Sequence, residues 1–272
     1  MQRSLNDTQV QQFIHEGYVK LENAFSREWA DAGRDILWKD TGCSPDDPGT
    51  WTKPVIRLGF YTQQPFSLAV NTPLLLAAFD QLVGNGNWIG RSSLGTFPVR
   101  FPSTEEPGDT GWHVDGSFPG PNSEDFSTWR VNVESKGRAL LMLFLFSDVT
   151  ELDAPTRIRM GSHLDVARLL GAVGKEGMSF RELAGELDIT SERRKVLATG
   201  KAGTVYLCHP FLVHAAQSHR GTSPKFMAQP SLELRNEFQL QRKNGLYSPV
   251  EVAIRMGLGL EEGANEISRN QY

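Results

Sequence analysis

The stretch GWHVDGSF, residues 111–118, decides how this 272-residue chain is read. In a strand, residues i and i+2 project to one face. His113 and Asp115 would then present an imidazole and a carboxylate together, near enough to share a metal. Gly111 and Trp112 before them, and Gly116-Ser117 after, fit a strand end that opens into a loop. The other His-x-Asp, His163-Leu164-Asp165, follows Gly161-Ser162 and leads into the helical pattern LDVARLL. On a helix, i and i+2 do not face each other. His163 and Asp165 are therefore expected at a helix N-terminus, where Asp suits the dipole.

A third ligand has to come from another strand. The segment VYLCHPFLVHAAQSHRG, residues 205–221, offers His209, His214 and His219. His209 precedes Pro210, which cannot donate to a sheet ladder, so it marks a strand end. His214 lies in an apolar stretch, and Ala215-Ala216 after it leave room beside a metal. His219, with Arg220-Gly221, is expected in an exposed turn. Alone, any of the three reads as a satisfied core or surface histidine. With His113 and Asp115, His214 completes two imidazoles and one carboxylate, the facial set of non-haem Fe(II) oxygenases. Three positions stay open on such an iron, enough for a bidentate 2-oxo acid and O2. The distal carboxylate of that acid needs a cation. Lys225, on the next strand, and Arg220, in the turn, are the candidates.

Around this core the chain reads as mainly β with flanking helices. Residues 94–101, 111–115, 129–133, 138–147, 156–160, 203–208, 212–216 and 225–234 have strand character. Many strands separated by turn residues predict an antiparallel sandwich or barrel. Helices are expected over 7–16, over 26–39 with Trp29, Ala32, Ile36 and Leu37 inward, and over PLLLAAFDQLV after the N-cap Thr72. A short strand is expected over 18–21 and a helical insertion over 164–197. Ser248-Pro249-Val250-Glu251 starts a last helix with a capping box. One domain is expected: a helical part over about 1–90, a barrel core over 91–240, and a helix and tail over 241–272. The polar ending LGLEEGANEISRNQY is expected to fray.

Hydrophobic residues make up 39% and charged residues 22%, which excludes wholesale disorder, a collagen-like fibre and a disulfide scaffold. A net charge of −4 argues against a broad nucleic-acid footprint. The longest apolar run, ALLMLFLF, is far shorter than the roughly twenty residues of a membrane span. Cys43 and Cys208 form no C-x-x-C, so reduced thiols are expected and a thiolate zinc site is not. The opening MQRSLNDTQVQQF lacks the apolar stretch of a signal peptide, so a cytoplasmic protein is expected.

These residues make the chain resemble the phytanoyl-CoA dioxygenase-like family of Fe(II)/2-oxoglutarate oxygenases. VQQFIHEGYVKLENAF, residues 10–25, resembles the family's opening helix and Gly-aromatic-Val strand. GWHVDGSF carries its His-x-Asp. TRIRMGSH resembles its Pro-Gly-Ser-His strand end, with Met160 in place of Pro, and CHPFLVHAAQSHRG carries its distal His. The resemblance implies a double-stranded β-helix, a jelly-roll barrel of the cupin type. It also implies iron at His113, Asp115 and His214, with 2-oxoglutarate and O2 as co-substrates and succinate and CO2 as products. The family's Arg after the distal His is replaced by Lys225, which keeps the charge and loses the planar fork. Arg220 is the fallback. Leu152-Asp153-Ala154-Pro155 stands where the family has Glu-Asn-Gly-Gly. A carboxylate ligand, where halogenating relatives have a small residue, implies hydroxylation, or a related desaturation or epoxidation.

The expected substrate is a small metabolite, with no basic cluster to grip a CoA phosphate. Trp112 and Phe118 flank the metal motif. Arg157 and Arg159 alternate on TRIRM, either as a pocket for an anionic or polar substrate or as structural partners of Asp148, Glu151 or Asp153. Trp51 belongs to a lid or to packing. Two other readings stay open: a cupin-like hydrolase or isomerase using zinc or manganese, and a non-catalytic ligand-binding jelly roll with structural histidines.

Overall fold

A computed structural model describes residues 4–260. The chain opens with α1 (Asp7–Glu16), β1 (Tyr18–Leu21), α2 (Arg27–Thr41), β2 (Val55–Leu58), α3 (Gln64–Val70) and α4 (Pro73–Val83). Next come β3 (Trp88–Ile89), β4 (Phe97–Arg100), β5 (Arg130–Val131), β6 (Leu140–Leu145) and β7 (Arg157–Arg159). After α5 (Ser162–Val173), β8 (Met178–Ser179) and α6 (Phe180–Glu186) follow β9 (Lys195–Leu197), β10 (Val205–Cys208) and β11 (His214–Ala215). β12 (Met227–Ala228), β13 (Ser231–Leu234) and α7 (Pro249–Gly257) complete the order.

Two antiparallel sheets form the centre, a jelly roll of the double-stranded β-helix type. The larger has the order β1-β10-β6-β13-β3, with β12 also on β6; the smaller is β11-β7-β9. β6 explains why the apolar run shows no alternation: all six of its residues are buried. Leu141, Leu143 and Leu145 pack with Ile158 of the smaller sheet, Tyr206 and Met227. Leu140, Met142 and Phe144 join the larger core with the helices. A strand covered on both faces reads as a continuous hydrophobic run.

The helix ends follow their caps. Asn6 and Gln9 form a capping box at α1, Thr72 caps α4, and Ser248 with Glu251 caps α7 behind Pro249. On α2 the expectation for Ala32 fails: it faces solvent, and the buried positions are Ala30, Gly33 and Leu37. Gly33 lets the helix approach closely, since a Cβ there would lie 2.7 Å from the Phe146 ring. β2 and α3 were not expected. The stretch 164–197 is not helical throughout; it ends in β9, which pairs with β7. The strand expected over 225–234 breaks at Pro230 into β12 and β13, because proline gives the ladder no donor. The strand over 111–115 reduces to a single bridge between His113 and His214. Residues 261–272, most of the ending expected to fray, lie outside the described residues. Among the described residues no single helix is long and apolar enough to cross a membrane, although α3 and α4 together, bent by 44°, pass by length and composition.

Candidate active site

The smaller sheet places the two imidazoles side by side. The backbone of His113 exchanges both hydrogen bonds with that of His214, each 3.0 Å, and β11 is held in turn by β7, His214 opposite Ile158. The rings lie 4.4 Å apart between centroids. Asp115, two residues on, projects to the same place, with Oδ1 3.7 Å from His113 Nε2 and 3.8 Å from His214 Nε2. One donor atom from each of the three residues lies within 4.8 Å of the other two. Such a set can hold a metal ion.

Hydrogen bonding turns each donor inward. His113 Nδ1 lies 2.9 Å from the Gly111 carbonyl oxygen and His214 Nδ1 3.0 Å from that of Leu212. A carbonyl only accepts, so both Nδ1 atoms carry the proton and both Nε2 lone pairs are free for a metal. Arg138 Nη1 donates to Asp115 Oδ2 at 3.1 Å, leaving Oδ1 between the imidazoles. Burial alone would raise the Asp115 carboxyl, but the Arg138 guanidinium and the two imidazoles hold it below its ordinary value. Burial and the neighbouring His113 bring His214 down to about 4. The carboxylate is thus ionised and the imidazole neutral, the forms a metal requires.

The three donors line a cavity of about 680 Å³, together with Trp112, Arg100, Arg138 and Lys225. That volume suits a small molecule. Lys225 is 1% exposed, and its Nζ donates to the Ala154 carbonyl oxygen at 2.5 Å. Its backbone pairs with Arg100, whose guanidinium binds Asp109 through two nitrogens, at 3.0 and 2.7 Å. Burial, then the charge of Arg100, push the Lys225 ammonium well below its ordinary value.

Several expected residues stand elsewhere. Arg220 is exposed in the turn after β11, outside the cavity lining, because its backbone N–H is tied to the Leu152 carbonyl. Phe118 pairs through its backbone with Arg130 and offers its ring to Lys136 rather than to the cavity. Arg157 and Arg159 do project together, but onto Trp112, with guanidiniums 4.8 and 4.4 Å from its ring. Arg157 Nη2 donates to the carbonyls of Thr110 and Ala216, and Arg159 Nη1 to Leu187 O and Thr190 Oγ1. They brace the segment that carries His113, form no ion pair with Asp148, Glu151 or Asp153, and line no part of the cavity. Of the expected substrate contacts Trp112, Phe118, Arg157 and Arg159, only Trp112 lines the cavity. Trp51 packs on Trp38 and Phe101.

His163, His209 and His219 are structural. His163 sits in the first turn of α5, buried against His209, and Asp165 takes a two-point bond from Arg193. His209 lies just beyond β10 and accepts from the Phe211 N–H. His219 is not exposed as expected but buried, its Nε2 bonded to the Ser223 carbonyl, because the turn folds over it. Sequence reasoning missed Arg100, Arg138, Arg91 and Phe180 at the cavity. Arg138 directly precedes an apolar strand, a faint signal, since a charge at a strand end more often reaches solvent.

Fold and donor set together define a class: jelly-roll proteins built around a two-histidine, one-aspartate metal-binding constellation. Residues 48–227 match the model of the family described as Phytanoyl-CoA dioxygenase (PhyH), and the chain belongs to that family. No curated protein matches it in sequence. Among solved structures, the fold is similar to that of the non-heme alpha-ketoglutarate-dependent carbocyclase SnoK from nogalamycin biosynthesis, at 17% identity over 86% of each chain with a TM-score of 0.54. HygX from Streptomyces hygroscopicus, with nickel, 2-oxoglutarate and hygromycin B bound, is 16% identical over 86% of this chain and 90% of its own, TM-score 0.55. EctD from S. alaskensis, with 2-oxoglutarate and 5-hydroxyectoine, is 21% identical over 85% of this chain and 76% of its own, TM-score 0.52.

Proposed function

We propose that this protein is a non-haem Fe(II)- and 2-oxoglutarate-dependent dioxygenase that hydroxylates a small-molecule metabolite. The observation that carries the reading is the convergence of His113 Nε2, His214 Nε2 and Asp115 Oδ1 in one cavity that also contains the buried cation Lys225. The donor chemistry fits iron: imidazole and carboxylate with open positions suit Fe(II) better than a thiolate-selective metal. When bound, iron and 2-oxoglutarate would supply the activation of O2, one oxygen atom going to the substrate and the other to succinate, with release of CO2.

The chain's own residues have definite parts. His113, Asp115 and His214 hold the metal, and the Gly111 and Leu212 carbonyls fix both imidazole tautomers. Arg138 keeps one carboxylate oxygen of Asp115 turned away from the metal position. We assign the distal carboxylate of 2-oxoglutarate to Lys225, which lines the cavity, in preference to Arg220, which is exposed outside the lining. The carboxylate of Asp115 stands where a small residue would make room for a halide, and this favours hydroxylation. Membership of a dioxygenase family and similarity to folds solved with 2-oxoglutarate support the reading.

The test is anaerobic. Fe(II) and 2-oxoglutarate added to the protein should give a weak visible charge-transfer band, abolished in Asp115→Ala. Iron bound without that band overturns the co-substrate and leaves a metal-dependent hydrolase or isomerase. No iron bound overturns the metal site itself.

A further inference from the structure

The cavity holds more positive charge than iron and 2-oxoglutarate require. Its lining brings the guanidiniums of Arg57, Arg91, Arg100 and Arg138, besides Lys225, against the carboxylates of Asp109, Asp115 and Glu233, so that the guanidiniums alone outnumber the carboxylates. A divalent metal adds two, and the dianion of 2-oxoglutarate removes two. The excess therefore persists once both are bound.

The charges fall into two groups. Arg57 and Arg100 share Asp109, close to Lys225. Arg91 and Arg138 form the second group, near enough that the charge of Arg138 opposes that of Arg91. Their counterions are poor. Glu233 is 3.5 Å from Arg91 and more than half exposed. Asp115 faces Arg138, but a bound metal takes up its charge. Both arginines are mostly buried, their side chains 11% and 12% exposed; apart from these carboxylates their hydrogen bonds go to the uncharged carbonyls of Ser93, Ser231 and Gly116, and Arg138 Nε is buried without a partner among the described residues. A desolvated and weakly compensated guanidinium is a strong receptor for a carboxylate. Phe60 and Phe126 belong to the same lining yet expose 65% and 45% of their surface, a place for an apolar body.

We propose that Arg91 and Arg138 form an anion subsite for the substrate, which is an organic carboxylate with an apolar body. This rests on the oxygenase reading and extends it to the class of molecule hydroxylated.

The test uses three probes with one body, 4-phenylbutyrate, 4-phenylbutanol and 4-phenylbutylamine, titrated by calorimetry into the anaerobic Fe(II)·2-oxoglutarate protein. The charge-transfer band is recorded in the same samples. A hydrogen-bonded charge pair predicts that the acid binds at least about tenfold more tightly than the alcohol or the amine. Arg91→Met should cut that advantage to about threefold or less. Glu233→Gln, at an exposed position, should tighten the acid several-fold by removing a competing carboxylate. An acid that binds no better than the alcohol overturns the subsite, as does an advantage that survives Arg91→Met or a Glu233→Gln protein with weaker acid binding. Absence of the band from the unaltered protein overturns the oxygenase reading itself.

Discussion

Lys225 should stabilise nothing until 2-oxoglutarate arrives, so Lys225→Met is predicted to move stability and co-substrate affinity in opposite directions. The ammonium has three donors. Among the described residues it makes one hydrogen bond, to the Ala154 carbonyl oxygen, and it is 1% exposed beside Arg100. A buried cation so poorly compensated costs desolvation that the fold does not recover. Replacing such a charge with an apolar side chain of similar volume is neutral or stabilising by about 1–4 kcal/mol. For a domain of this size that is a rise in Tm of a few degrees, roughly 2–4 °C per kcal/mol. The co-substrate loses a buried charge partner, which costs about 2–4 kcal/mol, or roughly 30- to 1000-fold in affinity. Lys225→Arg keeps the charge and should bind 2-oxoglutarate within about tenfold of the unaltered protein. Differential scanning calorimetry of the metal-free protein and the charge-transfer titration give the two numbers. A Lys225→Met protein that melts several degrees lower while binding 2-oxoglutarate within about threefold would refute the reasoning, for Lys225 would then be a structural residue.

Three further outcomes follow from the same geometry. Metal at about a hundred times its Kd should stabilise the protein by about 2.7 kcal/mol; thermal scans of Asp115→Ala and His214→Ala should show no such shift. Gly116→Ala should weaken metal binding about tenfold in equilibrium dialysis: a Cβ there would lie 2.6 Å from Trp129 Cβ, and the neighbouring Asp115 must move with the strand end. Stability should fall on acidification. Burial lowers His163 from 6.5 to about 4, so its neutral state contributes fully above pH 6.5, and the contribution is lost as pH drops towards 4. The loss reaches about 3 kcal/mol. His209, lowered by burial and by His163, acts in the same direction. Urea denaturation from pH 7 to 4 should show a flatter dependence in His163→Gln, whose amide can still donate to the Ile14 carbonyl that His163 Nε2 bonds.

What was legible in the sequence was local. Caps and periodicity placed α1, α4 and the start of α7 because the groups that decide a helix end lie within four residues of it. The grouping of His113 with Asp115 was legible for the same reason, a two-residue spacing. His214 needed its apolar setting as well. What escaped depended on which segment faces which. Period two correctly put Arg157 and Arg159 on one side of β7, yet only the fold shows that Trp112 covers that side. His219 looked solvated because its turn is polar, but the Ser223 carbonyl closes over it.

The arginines that matter most illustrate the limit best. In sequence, Arg100, Arg138 and Arg220 are alike, each at the end of a strand or in a turn, and a charge there is normally solvated. Burial becomes affordable only when a carboxylate comes from elsewhere: Asp109 for Arg100, across nine residues of loop, and Asp115 for Arg138, across twenty-three residues of chain. Among the described residues Arg220 receives no such partner, and it stays exposed. Lys225 is placed differently. Its backbone exchanges hydrogen bonds with Arg100, and that register fixes the lysine's position in the cavity lining. The position of a cation relative to the metal site is therefore a property of strand register and not of residue type. That is why counting onward from His214 finds Lys225, while no count along the chain finds Arg138.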